Sequence, residues 1–197
     1  IPSAGQRALA NLARDAIAKF TTNVSHEVWL LDTAPDVRYG SQKVAQALRR
    51  MLHAAETYGV TQIFIMHDDA LPLLGDWLVY LLTKPGPVVG VKASERNGYA
   101  HGSGVLIDAD FLIRSPLMLD MPKRDAGEWP ASWLAPSFCN RPPLVARPDT
   151  WWSDFSCDVS ISDDTDQPFY IHFGGGTLNN RPDRDAWIAA ARRALDL

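Results

Sequence analysis

A chain of 197 residues, 46% hydrophobic and 21% charged, is long enough to bury a core without disulfides or structural metals, and its composition excludes disordered, collagen-like and coiled-coil proteins. The 23 acidic residues outnumber the 19 basic ones, which removes the broad positive field that nonspecific nucleic-acid binding needs. Two cysteines cannot build a disulfide framework, and the apolar runs are far shorter than the ~20 residues that span a bilayer. We therefore expect one domain over residues 1–197, located in the cytoplasm.

Hydrophobic periodicity predicts helices that alternate with short strands. Apolar residues at helical spacing predict helices near residues 9–20, 44–55, 75–82 and 183–195, and short apolar runs predict strands at 27–32, 61–66, 87–91, 103–108 and 169–173. This rhythm favours an α/β fold with a mostly parallel sheet flanked by helices. Ligands then gather at the carboxyl ends of the strands, where Asp32 and the segment His67-Asp68-Asp69 fall.

A long irregular region interrupts this pattern. Residues 115–148 contain seven of the 14 prolines and show no periodicity, and the region extends to residue 157. Loops of this length in a compact domain are usually functional or disordered. The tryptophans in and after it argue against disorder and predict walls for a bound acceptor: Trp129, Trp133, Trp151 and Trp152.

The segment His67-Asp68-Asp69 directly follows an apolar strand and is the first candidate site. Two adjacent carboxylates at a strand end are difficult to pair, and a divalent cation makes the arrangement favourable. The alternative is a solvated strand end whose acids cap the next turn.

A second candidate is His172, which leaves a predicted strand just before Gly174, Gly175 and Gly176. Glycines let backbone N–H groups approach phosphate oxygens closely, and the histidine can point at a ligand. The alternative is a structural histidine beside an ordinary turn. Arg181 and Arg184 follow, and they either close on a diphosphate or are surface charges.

Two further segments could contact a sugar. Asp158 lies beside an alternating apolar and polar pattern and close to aromatic residues that could present a flat face to a sugar ring, although this motif alone favours a helix or strand cap beside a core tryptophan pair. The turn at Gly102 could form a loop over a donor sugar or a simple entry into the next strand.

The order of these segments resembles the GT-A glycosyltransferases, nearest to the family 2 enzymes. It runs through Asp32, His67-Asp68-Asp69, Gly102-Ser-Gly104, Cys157-Asp158 and His172, and the resemblance covers the chain from the first helix to Thr177. It implies a Rossmann-like GT-A sheet. Ile1-Pro-Ser is similar to the loop that follows the first strand of that sheet, so either that strand is missing here or the sheet is built differently.

The resemblance also implies residue roles. Asp32 would contact the nucleoside of a nucleotide-sugar donor, and Asp68 would lie near the donor sugar or ribose. Asp69, from the DxD-type motif, would bind the metal ion together with His172, and His67 is a further candidate ligand. Asp158 would deprotonate the acceptor hydroxyl. Cys157 replaces the Glu of the family motif, which leaves Asp154 as an alternative base.

These roles predict a metal-dependent glycosyltransferase that moves a sugar from a nucleotide-diphosphate donor to an acceptor hydroxyl, with inversion. Mg²⁺ or Mn²⁺ would neutralise the leaving diphosphate, and an imidazole ligand favours Mn²⁺. The acceptor could be a saccharide, a lipid carrier, a protein or a modified nucleobase. Two alternatives remain open, a nucleotidyltransferase and a noncatalytic nucleotide- or sugar-binding module.

Overall fold

The computed structural model describes residues 1–3, 7–32, 40–91, 103–114, 149–162, 164–174 and 181–197. In chain order its elements are β1 (Pro2–Ser3), α1 (Arg7–Phe20), β2 (Leu31–Asp32), α2 (Gly40–Tyr58), β3 (Gln62–Met66), β4 (Ala70–Pro72), α3 (Trp77–Leu82), β5 (Val88–Gly90), β6 (Gly104–Asp108), α4 (Ala109–Arg114), β7 (Asp158–Ile161), β8 (Pro168–His172) and α5 (Arg184–Leu195).

The strands form two small antiparallel sheets and one parallel pair. In the first sheet β6 lies between β3 and β5, and in the second β8 lies between β4 and β7, with every pairing antiparallel. Among the strands that the structure describes, only β1 and β2 pair in parallel, as a two-stranded unit. The predicted Rossmann-like, mostly parallel GT-A sheet is therefore wrong. Periodicity identifies a strand but not its partner, and here the partners are distant in sequence, as in the pairing of Gln62 with Asp108.

The first sheet separates two hydrophobic cores. Its alternating side chains Ile63 and Ile65 join Ile107 in a core that includes residues of α2 and α4. On the other side, Met66 and Leu106 belong to a larger core with α1, α3, α5 and the second sheet. Large aromatic residues fill this core, each contributing roughly 1.5–3 kcal/mol through burial: Trp77, Phe169, Tyr170, Phe173 and Trp187.

The helix predictions are confirmed, and local chemistry explains their limits. In α1 the buried positions Leu9, Leu12, Ala13, Ala16 and Ile17 follow helical spacing. After α2, Gly59 has φ +68°, a left-handed conformation that glycine adopts without strain and that ends helices.

The strand predictions were less complete. Of the predicted strand 27–32 only Leu31–Asp32 is a strand. The prediction of a loop at Ile1-Pro-Ser is also wrong, because Pro2–Ser3 is a strand that pairs with Leu31–Asp32. Sequence patterns also missed β4 and α4, which are three and six residues long and too short to show periodicity.

The irregular region is described only from residue 149 onward, where turns lead into β7. Trp129 and Trp133 lie outside the described residues. Trp151 and Trp152 are half-buried and pack against the larger core, so their rings contribute to structure as well as to the surface. Among the described helices, none combines the length and apolar character needed to cross a membrane.

Candidate metal centre

His172 is the last residue of β8, the central strand of the second sheet. In the sheet register His172 is opposite Ala70 of β4 on one side and Asp158 of β7 on the other. Directly opposed residues of an antiparallel pair project to the same face, with Cβ atoms about 4.5–5.5 Å apart. The register therefore brings Asp158 toward the imidazole of His172, and Asp69 approaches the same imidazole from the turn that precedes β4.

A backbone carbonyl joins the first sheet to this group. The Ser103 carbonyl accepts a hydrogen bond from the N–H of His67 (3.1 Å) and another from the hydroxyl of Tyr170 (2.7 Å). The N–H of Phe173 donates to the Asp69 carbonyl at 2.8 Å. These bonds tie the segment 67–69 to the end of β8, so both ends of the candidate site are fixed by main-chain contacts.

The side chains of His67, Asp69 and His172 converge at this junction. Each offers one ligand atom, and these atoms lie within 4.8 Å of one another. Asp69 Oδ1 is 3.3 Å from His172 Nε2 and 3.9 Å from His67 Nδ1. The two imidazole rings meet edge to face, with centroids 5.4 Å apart. Three residues predicted as metal ligands are thus brought together from two sheets.

Donor chemistry and spacing both fit a divalent cation. Ligand atoms that share one ion at about 2.1 Å lie roughly 3–4 Å apart, which matches the distances from Asp69 Oδ1 to both imidazoles. The Asp69 side chain is only 2% exposed, whereas that of His67 is 35% exposed. A cation here would have protein ligands on its buried side and open coordination positions on the side of His67, which suits an ion that also binds substrate oxygens.

The carboxylate of Asp69 also acts on its buried neighbours. Burial raises the pKa of Tyr170 well above its usual range, and the negative charge of Asp69 raises it further. The Tyr170 hydroxyl therefore stays protonated and donates to the Ser103 carbonyl. Tyr170 is a fixed structural donor beneath the cluster and cannot serve as a proton acceptor at neutral pH.

Asp158 contacts the opposite nitrogen of the same imidazole. Its Oδ2 lies 3.4 Å from His172 Nδ1, and its side chain is 36% exposed. His172 consequently stands between two carboxylates, with Asp69 at Nε2 and Asp158 at Nδ1. Sequence reasoning selected all three residues but gave no signal for this direct contact, which arises from the register of β7 and β8.

Arg181 forms hydrogen bonds that anchor the backbone directly after β8. Its guanidinium donates to both carboxylate oxygens of Asp183, at 2.9 and 2.8 Å, and to the carbonyls of Phe173 and Gly174. It also lies 4.0 Å above the Phe173 ring, which stacks on Trp187 with a 14° tilt. The hydrogen bond to Asp183 raises the pKa of Arg181 and lowers that of Asp183. Among the described residues Arg181 is held by main-chain and acidic partners, so the predicted closure on a diphosphate has no support in its contacts.

Cys157, which replaces the Glu of the family motif, is unsuited to proton transfer. Burial raises the pKa of its thiol from 9.0 to about 12, and the nearby Trp187 and Arg181 side chains offset this only in part. A thiol with this pKa stays protonated at neutral pH and is a poor base and nucleophile. The candidates for proton removal therefore remain Asp158 and Asp154.

The remaining predicted residues occupy different surroundings. Asp68 is buried, at 2% exposure, and is not one of the three cluster residues. Asp32 ends β2 opposite Ser3.

Asp154 is exposed and lines an open cavity of about 620 Å³ between the turn at 151–155 and α5. Gly174 has φ +51°, which favours glycine there. Gly102, Gly175 and Gly176 lie outside the described residues.

Comparison with known proteins adds no family to this geometry. No model of a known protein family matches the chain, and no curated protein matches it significantly.

Proposed function

We propose that the protein is a divalent-cation-dependent glycosyltransferase that moves a sugar from a nucleoside-diphosphate donor to an acceptor hydroxyl. The observation that carries the proposal is the convergence of His67, Asp69 and His172, with ligand atoms within 4.8 Å of one another. The order of the sequence segments that resembles family 2 glycosyltransferases adds support. The predicted parallel sheet adds none, since the strands pair otherwise.

The cluster suits the departure of a diphosphate. A bound divalent cation would act as a Lewis acid that neutralises charge on the leaving phosphate oxygens. Asp69 supplies the anionic ligand, and its burial keeps competing water away from one side of the cluster. His67, which is partly exposed, borders the side from which a diphosphate would enter.

Asp158 is our candidate for removal of the acceptor proton. Its side chain is partly exposed beside the cluster, so an acceptor hydroxyl could approach it. An acceptor activated there would attack the sugar opposite the departing diphosphate, which inverts the anomeric centre. Asp154 remains the alternative base, on the turn that precedes β7.

The donor set favours Mn²⁺ over Mg²⁺. Two imidazole nitrogens and one carboxylate oxygen are the ligand atoms of the cluster. Mg²⁺ prefers oxygen ligands and retains its waters, whereas Mn²⁺ accepts nitrogen more readily.

The decisive experiment incubates the purified protein with a panel of nucleotide sugars and Mn²⁺, without an added acceptor. Slow release of free sugar and nucleoside diphosphate is the result expected of a glycosyltransferase, because water replaces the acceptor. A parallel incubation with nucleoside triphosphates and sugar 1-phosphates that releases pyrophosphate from the triphosphate would instead identify a nucleotidyltransferase. Binding of the nucleotide sugars without any turnover would identify a noncatalytic module.

The matched control in this experiment is Asp110→Asn. Asp110 is exposed on α4 and, within the part of the chain that the structure describes, pairs with Arg114 one turn away. The Asp110→Asn variant should hydrolyse the donor at the wild-type rate, whereas the Asp69→Asn variant should not hydrolyse the donor. Equal hydrolysis by both variants would contradict the proposal.

A further inference from the structure

The contact between Asp158 and His172 has the form of a carboxylate that orients a metal-binding histidine. The imidazole uses Nε2 toward Asp69 and Nδ1 toward Asp158, at 3.3 and 3.4 Å. Asp158 does not belong to the ligand cluster of the described residues, which consists of His67, Asp69 and His172. It lies on the far side of the ring from that cluster.

This arrangement matches the protonation pattern of a metal-bound histidine. A carboxylate beside Nδ1 accepts a hydrogen bond from an Nδ1–H, which leaves the lone pair on Nε2 for an ion. Nε2 is the nitrogen nearest Asp69, where the ligand atoms converge, and an ion bound there would take the place of any proton shared with Asp69. The hydrogen bond at Nδ1 limits rotation of the ring about its Cβ–Cγ bond. Both effects favour His172 as a ligand through Nε2.

The pairing of β7 with β8 produces this contact, so it does not depend on a chance encounter of two surface side chains. Asp158 and His172 are direct register partners, and the β-bulge of this strand pair falls further along, between Ser160 and Ile161. The pairing at the site end is therefore regular. His172 is flanked on its other side by Ala70, whose small side chain leaves room for the imidazole.

We propose that Asp158 is a positioning residue for the metal centre, which holds His172 in the tautomer and orientation that place Nε2 toward the ion. This inference rests on the proposed function, because it assigns a second task to the residue named there as candidate base. It adds that Asp158 acts on metal affinity even in the absence of any sugar donor or acceptor.

The experiment measures Mn²⁺ affinity of the protein alone, by electron paramagnetic resonance of unbound Mn²⁺. Asp158→Ala removes the hydrogen-bond acceptor and should weaken Mn²⁺ binding by about 10- to 100-fold. Asp158→Asn keeps an amide oxygen that accepts the Nδ1–H, and it should stay within about threefold of wild type. The matched control is Asp164→Ala, beyond the opposite end of β7, which loses only an exposed contact with Lys84 and should bind Mn²⁺ normally.

Circular dichroism and thermal unfolding of each variant show whether it is folded, and Asp158→Asn keeps the inference testable where Asp158→Ala is unstable. A folded Asp158→Ala protein with wild-type affinity would overturn the positioning role alone, since the wild type still binds Mn²⁺. An Asn variant as weak as a folded Ala variant would also overturn it. A wild-type protein that binds no Mn²⁺ would overturn both this inference and the proposed function.

Discussion

The hydroxyl of Tyr170 lies 2.8 Å from the position that a Cβ atom on Gly104 would occupy. That hydroxyl cannot move aside cheaply, because Tyr170 is fully buried and donates to the Ser103 carbonyl. The same position is 2.9 Å from Val91 and 3.0 Å from Phe64. Gly104 thus lets the first sheet approach Tyr170 of the second sheet closely.

Gly104→Ala should therefore destabilise the protein by about 1–3 kcal/mol, since the added methyl overpacks a buried contact. Chemical denaturation measures the free energy of unfolding. The matched control is Gly75→Ala, where a Cβ meets nothing within 4 Å, and its stability should stay close to wild type. Adding Tyr170→Phe to Gly104→Ala removes the clashing hydroxyl and should recover part of the loss. An unchanged stability of the single variant would refute the close approach.

The sequence predicted the kinds of elements far better than their arrangement. The long amphipathic helices α1, α2 and α5 are visible because many residues share one period. The pairing of β6 with β3 and β5 is not visible, because it joins segments about 15 to 45 residues apart that carry similar apolar runs. A chain that alternates helix and strand in its first half therefore suggested a mostly parallel sheet, whereas the described strands beyond the β1–β2 pair are antiparallel.

The residues of the candidate site could be predicted from the sequence more completely than the pairing of the strands. His67, Asp69 and His172 are polar residues at the ends of apolar runs, and such residues stand out whatever the strand order is. The link between Asp158 and His172 could not be predicted, because a shift of one residue in the register of β7 would direct Asp158 to the other face. The anchoring contacts of Arg181 depend on a turn that has no periodic signal.

Asp69→Asn should abolish the stabilisation that Mn²⁺ confers. The substitution keeps the shape of the side chain but removes the only anionic ligand of the cluster. Specific binding to the native state raises the melting temperature, so wild type should shift upward with added Mn²⁺. The variant should show no shift, measured by differential scanning fluorimetry. A shift of wild-type size would exclude Asp69 as a ligand.

Mn²⁺ should bind the wild-type protein at least about tenfold more tightly than Mg²⁺, because two of the three ligand atoms are imidazole nitrogens. Isothermal titration calorimetry with each ion, at fixed pH and ionic strength, gives both affinities. His67→Asp replaces one nitrogen with oxygen and should narrow the difference between the ions. If Mg²⁺ binds as well as Mn²⁺, the imidazoles are not ligands.

Arg181→Ala should lower the melting temperature and weaken Mn²⁺ binding, because the guanidinium holds the carbonyls of Phe173 and Gly174 directly after His172. Its pairing lowers the pKa of Asp183, so the stabilisation is present above pH 3.8 and is lost as the pH falls below it. The difference in melting temperature from wild type should therefore shrink in acid. Arg193→Ala, which changes an exposed residue of α5, is the control and should leave Mn²⁺ affinity unchanged. Equal Mn²⁺ affinity in the two variants would argue against an anchoring role.

The thiol of Cys157 should react slowly with disulfide reagents while the protein is folded. Its pKa of about 12, against 9.0 when unburied, lowers the thiolate fraction at pH 8 by about a thousandfold, and burial limits access further. The rate of labelling by Ellman's reagent measures this in a Cys139→Ser background, so that only Cys157 reports. The same protein in guanidinium chloride is the control and should label quickly.

Because the folded state keeps the Cys157 thiol protonated, the contribution of this thiol to the free energy of unfolding is complete below pH 9.0 and declines as the pH rises toward 12. If the native protein is labelled as fast as the denatured protein, Cys157 is an exposed, ionisable thiol. Cys157 would then again be a candidate catalytic residue.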